Sequence, residues 1–317
     1  MFRDNLPKPG NTTKINVLIT DGGLGDLACS LVPVKYMLDN MFWLNPQIFV
    51  PDYLFDFAKN VLPSKAKIFR YSEASRYYKE KLPAVSTQWK TNHTAMRTHP
   101  VDYAFHMLLD KTPTPEERNY LKVSPVDISV FNLPTKYVCI GVGHTNRTKE
   151  FKPDVVNGIV TYCLSMGYLP VFLGKKEEPT GHEKLGLKAE ISNDIDYTKG
   201  LDFTGKTTIL EAASIINGAK CYIGMDGGLV HIAGFTDVPI IAGYTFVNPN
   251  HIMPIRNDIL GHNVQNIVPP PSLGCRFCQT NWSMFYDHSF FDCYYDDFEC
   301  VKQLTLDKWI EKLENVL

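Results

Sequence analysis

Two runs of this chain join glycines to an acidic residue: Thr20-Asp21-Gly22-Gly23-Leu24-Gly25-Asp26 and Gly224-Met225-Asp226-Gly227-Gly228-Leu229-Val230-His231. Each follows an apolar, strand-like run (residues 15–19 and 221–223) and opens onto a helix-like pattern. A strand that turns through glycines into a helix presents unpaired backbone N–H groups and the positive end of the peptide dipoles. That arrangement suits an anion, and a phosphate-bearing ligand is the first expectation. The acids carry two readings. Asp26 either caps the helix that follows Gly25 or serves as a general base facing a cleft. Asp226 has the same ambiguity, and His231 is either a satisfied core histidine or a donor to a diphosphate.

Other residues extend the list. Asn146-Arg147-Thr148-Lys149-Glu150-Phe151-Lys152-Pro153 follows the strand expected at 137–142, so its cations form either a phosphate clamp or a solvated charge cluster. Gly200-Leu201-Asp202-Phe203-Thr204-Gly205-Lys206-Thr207 has the spacing of a nucleotide-binding P-loop, but residues 191–197 before it are too polar for the buried strand such a loop requires. The plainer reading is a turn, with Thr207 or Thr208 capping the next helix. Of eight cysteines, Cys29, Cys139, Cys163 and Cys221 read as buried small apolar residues. Cys275, Cys278, Cys293 and Cys300 have the ingredients of a four-thiolate structural site for zinc or iron, against free thiols or occasional disulfides. Trp89, Lys90, His93, Arg97 and His99 read as a surface loop or as the lining of an acceptor groove.

These residues need a scaffold. Strands are expected at 15–19, 47–51, 67–71, 137–142, 169–173, 221–223 and 238–242, and helices at 27–38, 53–61, 103–110, 153–166, 207–218 and 306–317. Residues 79–100 read as loop-rich, and prolines punctuate 113–134. Alternation of this kind predicts an α/β protein with parallel sheets, arranged as two Rossmann-like domains facing a cleft. The expected divisions are 1–134, 135–304 with a cysteine knuckle at 275–300, and a terminal helix at 305–317. Ligands of such sheets bind outside the strand carboxyl ends, where both glycine loops fall. Charged residues make up 21% of the chain and the net charge is −2, which gives no global basic footprint for nucleic acid. No apolar run is long enough to span a membrane, and the start lacks the apolar core of a signal peptide, so a reducing cytoplasm is expected.

Taken in order, Gly22-Gly23-Leu24-Gly25-Asp26 with Ser30-Leu31-Val32-Pro33, then Lys149-Glu150-Phe151, Phe172-Leu173-Gly174 with Glu178, Thr204-Gly205-Lys206-Thr207 and Asp226-Gly227-Gly228-Leu229-Val230-His231-Ile232-Ala233 resemble glycosyltransferase family 9, the ADP-heptose heptosyltransferases. The resemblance implies a B-type glycosyltransferase fold and inverting displacement of a sugar from a nucleotide-diphosphate donor onto an acceptor hydroxyl. It implies Asp26 as the general base, with Gly22, Gly23 and Gly25 in its loop. Asp226, Gly227, Gly228, Leu229 and His231 then match the diphosphate segment, Lys149 a phosphate contact, and Glu178 a carboxylate near the donor ribose. No catalytic cofactor is implied, while some protein-glycosylating relatives carry a metal finger that the four cysteines resemble. The acceptor is a glycan, a protein or a modified nucleobase. Asp226-Gly227-Gly228 departs from the family's commoner Asp-Thr/Ser-Gly. Two other functions stand beside this one: a P-loop NTPase and a non-catalytic nucleotide-sugar-binding protein.

Overall fold

Strand β1 (Thr13–Leu18) pairs in parallel with β2 (Leu44–Val50) on one side and β4 (Ala84–Ser86) on the other, and β3 (Lys67–Arg70) completes a sheet of order β3-β2-β1-β4. In this computed structural model the described residues are 10, 12–19, 23–74, 84–86, 98–175, 190–280, 293 and 295–317, with backbone alone described at 84–86 and 280. Helices α1 (Leu24–Cys29), α2 (Leu31–Asn40), α3 (Phe55–Val61) and α4 (Pro100–Leu109) accompany the first sheet.

The second sheet is six-stranded and parallel, in the order β12-β9-β8-β5-β6-β7. Its strands are β5 (Tyr137–Gly141), β6 (Leu169–Leu173), β7 (Leu201–Asp202), β8 (Tyr222–Met225), β9 (Ile240–Gly243) and β12 (Val264–Ile267). A small antiparallel pair, β10 (Ile255–Arg256) with β11 (Ile259–Leu260), stands apart. Helices α5 (Pro153–Ser165), α6 (Ile209–Gly218), α7 (Gly228–Gly234), α8 (Glu299–Lys302) and α9 (Leu306–Leu313) complete this half.

Side-chain alternation along these strands builds two cores. Tyr137, Cys139, Val171, Tyr222, Ile240 and Ala242 share one buried cluster with Ile215 and Ile216 of α6, Ile232 of α7 and, from the first half, Ile15, Val17 and Leu31. Val138, Ile140, Phe172, Ile223 and Ile241 point the other way, onto α5 and α9. Trp309 and Leu313 of α9 are fully buried there, and Trp309 packs on Phe151 with ring centroids 4.5 Å apart. Each buried apolar side chain of this size stabilises the fold by about 1.5–3 kcal/mol. Strands apolar on both faces are what a doubly covered parallel sheet requires, which is why they stood out in the sequence.

Differences from the expected elements have local causes. The single helix expected at 27–38 is two. Pro33 has no N–H to bond the preceding turn, so the chain restarts at Leu31 and places Pro33 in a first turn, while Ser30 Oγ donates to Asp26 O at 2.9 Å. Residues 84–86, inside the expected loop, form β4. The proline-rich stretch 113–134 lies along both halves: Tyr120 N–H donates to Ile255 O at 3.2 Å, Val123 N–H to Phe235 O at 2.8 Å, and Ser124 N–H to Asn60 Oδ1 at 2.7 Å.

Candidate active site

In the second sheet the chain leaves β5 toward β6 on one side, while β8 lies on the other. The crevice at that switch point is flanked by the loops that follow β5 and β8, where an open parallel sheet places its ligand site. The β5 loop ends in a tight turn. Asn146 Oδ1 accepts from both the N–H and the Oγ1 of Thr148 at 2.9 Å, and Thr148 O accepts from the Thr245 hydroxyl. Arg147 is fixed over the Phe298 ring, 4.3 Å from its centroid. This turn brings Lys149 Nζ to 2.7 Å from Asp226 Oδ2.

Asp226 closes β8, its N–H donating to Gly243 O at 2.9 Å. Its side chain is 4% exposed, and its Oδ2 is ion-paired with Lys149. The Tyr244 hydroxyl is also buried and without a hydrogen-bond partner; burial pushes its ionisation up, and the Asp226 charge adds to the shift. A buried phenol left without a hydrogen-bond partner beside a buried ion pair is expensive in a resting fold and marks a place where a polar ligand has work to do.

The glycine loops meet. A Cβ on Gly25 would lie 2.4 Å from His231 Cδ2, and one on Gly228 would lie 2.9 Å from Leu24 Cβ, so both glycines are required for α1 and α7 to pack N-terminus to N-terminus. Asp26, third residue of α1, accepts from Gly23 N–H through Oδ2 at 3.1 Å. Its bland role as a capping carboxylate is therefore real, and it operates at this junction. Gly227 is extended backbone, and Leu229 is half-buried against the shared core. His231 is 2% exposed; burial pushes its pKa down and keeps the ring neutral, although Asp226 and Asp26 both pull it upward. The structure thus brings together Gly23, Gly25, Asp26, Lys149, Asp226, Gly227, Gly228, Leu229 and His231. Gly22 and Glu178 lie outside the described residues, as do Trp89, Lys90, His93 and Arg97.

One expectation is corrected, and at the P-loop spacing the plainer of two readings holds. His99 lines no groove: it is buried, its Nδ1 accepts from Val101 N–H at 3.2 Å to cap α4, its Nε2 bonds Met253 O at 2.8 Å, and burial lowers its pKa to about 3. The P-loop spacing at 200–207 holds the two-residue edge strand β7 and the turn after it, rather than a loop that follows a buried central strand. Lys206 Nζ donates to Asp202 O at 2.6 Å, and Thr208 rather than Thr207 caps α6, paired reciprocally with Glu211.

The four clustered cysteines line one small cavity with Thr148, Phe246, Tyr295, Asp297 and Glu299, directly behind the Lys149 turn. A set of four sulfurs is right in kind for zinc or iron. Among the described residues, however, no three His, Cys, Asp or Glu groups stand at distances that would hold a metal ion, and all eight cysteines are free thiols.

The profile of glycosyltransferase family 9 (heptosyltransferase) matches residues 92–271, more than half of the sequence, and the chain belongs to that family. Its fold is similar to the iron-containing dodecameric glycosyltransferase TibC of enterotoxigenic E. coli H10407, at 16% identity and TM-score 0.72, covering 98% of this chain and 77% of that one. It is similar also to a family 9 glycosyl transferase of Veillonella parvula DSM 2008, at 14% identity and TM-score 0.63 over 95% and 100% of the two chains. ADP-heptose lipopolysaccharide heptosyltransferase II of E. coli gives 11% identity and TM-score 0.63 over 96% and 98%. No curated protein matches the sequence. The protein is therefore a glycosyltransferase of B-type α/β fold, from a family that transfers sugars from nucleotide donors. Among the described residues no helix is long and apolar enough to cross a membrane.

Sequence reasoning missed Tyr120, whose hydroxyl lies 2.8 Å from His231 Nδ1 and 2.9 Å from Cys29 Sγ. It also missed Arg256, whose buried guanidinium donates to Ala233 O at the end of α7, at 2.5 Å, and to Val238 O just before β9, at 2.7 Å. Neither sits in a patterned segment, and both act on residues distant in sequence.

Proposed function

We propose that the protein transfers a sugar from a nucleoside-diphosphate donor to an acceptor hydroxyl by a single inverting displacement, with Asp26 as general base. The observation that carries this reading is the junction of the two glycine loops, which puts the Asp26 helix against the segment bearing Asp226 and His231. Asp26 takes the proton of the acceptor hydroxyl, and the oxygen attacks the anomeric carbon from the face opposite the diphosphate. The bond from that carbon to the phosphate oxygen breaks, its electron pair leaves with the nucleoside diphosphate, and the anomeric configuration inverts. Lys149 meets the charge growing on the leaving group, together with His231 and the backbone N–H groups of Gly227, Gly228 and Leu229. Asp226 holds Lys149 in place in the absence of donor, and Glu178 is assigned to the donor ribose on the family resemblance.

We further propose that Cys275, Cys278, Cys293 and Cys300 hold a structural zinc or iron ion in a reducing cytoplasm. The choice of sulfur donors and the iron content of TibC support this. The ion's place is structural, and the displacement draws nothing from it. Metal analysis of purified protein tests the point, with less than about half an equivalent of either metal counting against it.

The function is tested by a thermal-shift screen of nucleotide sugars and nucleoside diphosphates, followed by NMR of the product's anomeric proton. A donor at a hundred times its Kd raises stability by about 2.7 kcal/mol. No stabilising nucleotide, or a product that keeps the donor's anomeric configuration, would overturn the reading.

A further inference from the structure

Cys29 on α1, Tyr120 in the stretch between the halves and His231 on α7 form a buried hydrogen-bonded chain at the junction of the glycine loops. Cys29 Sγ lies 2.9 Å from Tyr120 Oη, Tyr120 Oη 2.8 Å from His231 Nδ1, and Cys29 Sγ 3.5 Å from the same nitrogen. The Tyr120 ring stacks beside the imidazole with the planes 19° apart. Three groups from three separate segments thus converge on one edge of the histidine. The opposite edge, Cδ2 and Nε2, faces Gly25, where a Cβ would lie 3.1 Å from Nε2.

The protons on this chain can be assigned. A thiol is a poor acceptor and a phenol has one proton to give, so the good acceptor for that proton is an imidazole nitrogen. The thiol donates to the phenol oxygen, and the phenol donates to Nδ1. Burial drives the thiol and phenol pKa values up and the imidazole pKa down, so all three groups are neutral and each has a single proton to place. With Nδ1 accepting, the ring's one proton must sit on Nε2, the nitrogen beside the Gly25–Asp26 loop.

We infer that Tyr120 is a positioning residue, which fixes His231 as the Nε2–H tautomer and aims that donor into the junction where the donor diphosphate is bound. This rests on the proposed donor site. Without the phenol, Nδ1 would be left unpaired, and either ring nitrogen could carry the proton. Cys29, read from sequence as a small apolar filler, supplies the thiol that completes the phenol's hydrogen bonding.

The test is nitrogen NMR of protein labelled with 15N-histidine, with the His231 signals identified by their loss in His231→Gln. In the wild type, Nε2 should carry the proton and Nδ1 should be bare. Tyr120→Phe should convert this to a mixture of tautomers and weaken binding of whichever of ADP, UDP, GDP or CDP stabilises the wild type by about tenfold, the size of one net hydrogen bond. Cys29→Ser, which keeps a donor, should retain the wild-type spectrum. A wild-type proton on Nδ1 overturns the inference, and so does a Tyr120→Phe spectrum identical to wild type. The wild-type spectrum alone decides the tautomer if the phenylalanine variant does not fold. An Nε2–H wild type that binds none of the four nucleotides supports the assigned tautomer and overturns the donor-site reading instead.

Discussion

The two glycine-rich loops look alike in sequence and differ in what their acids do. In the first, Asp26 lies inside α1 and is half-exposed, with one oxygen on the N–H of its own helix start. In the second, Asp226 lies before α7, is buried, and faces a lysine delivered by another loop. The first loop is tied to its own sheet by Tyr71, whose hydroxyl donates to Ile19 O at 2.5 Å. The second has its helix held from behind by Arg256. A carboxylate within a helix start keeps access to the cleft. One at a strand end becomes part of a charge cluster. The same few residue types therefore yield a helix-capping carboxylate, proposed above as the base, in one half and a buried lysine-paired carboxylate in the other.

Breaking the contact between the loops should have the largest effect. Gly25→Ala puts a methyl into His231 and must push α1 away from α7; a shift near 1 Å at reacting groups lowers transfer by about a hundredfold. Steady-state rates, with circular dichroism to verify folding, would check it. Next in size is Arg256→Met, which leaves carbonyls at the end of α7 without donors. Chemical denaturation should show a loss of about 2–4 kcal/mol, with the Asp226 loop more affected than the Asp26 loop.

The smallest expected effect concerns pH. His99 and His231 are buried neutral, with pKa values lowered in the folded state, so the unfolded chain binds protons that the folded one does not. Stability therefore falls as pH drops below about 6.5, by about 1.4 kcal/mol per unit for each histidine until its folded pKa is reached, near 3 for His99. Denaturation midpoints between pH 7 and 5 measure the slope, and His99→Asn, which keeps a capping oxygen, should reduce it by about half.

Much of this was legible. The strands β5, β6, β8 and β9 are apolar on both faces and bounded by glycines, so their positions could be read directly, and the loops that follow them came with the scaffold. β4 and β12 were not legible: three residues in a polar stretch and the mixed Val-Gln-Asn-Ile carry no periodicity, and pairing with a neighbouring strand makes them strands. In the site, glycines and acids announced themselves because backbone geometry demands them locally. Tyr120 and Arg256 could not, since their value lies in reaching His231 and the α7 carbonyls from far along the chain. His99 misled in the opposite sense, because a helix-capping histidine looks no different in sequence from a surface one.

The division of labour between the loops is tested most directly by measuring donor affinity and single-turnover transfer side by side in Asp26→Asn and Lys149→Met. The expected result for Asp26→Asn is transfer lowered by about 10²–10⁴-fold with donor affinity retained. For Lys149→Met it is donor affinity weakened by about 10- to 100-fold, the loss of one charged contact. An Asp26→Asn protein that transfers sugar at the wild-type rate, or one that loses donor binding as Lys149→Met does, would contradict the separate roles assigned to Asp26 and to the Lys149–Asp226 pair.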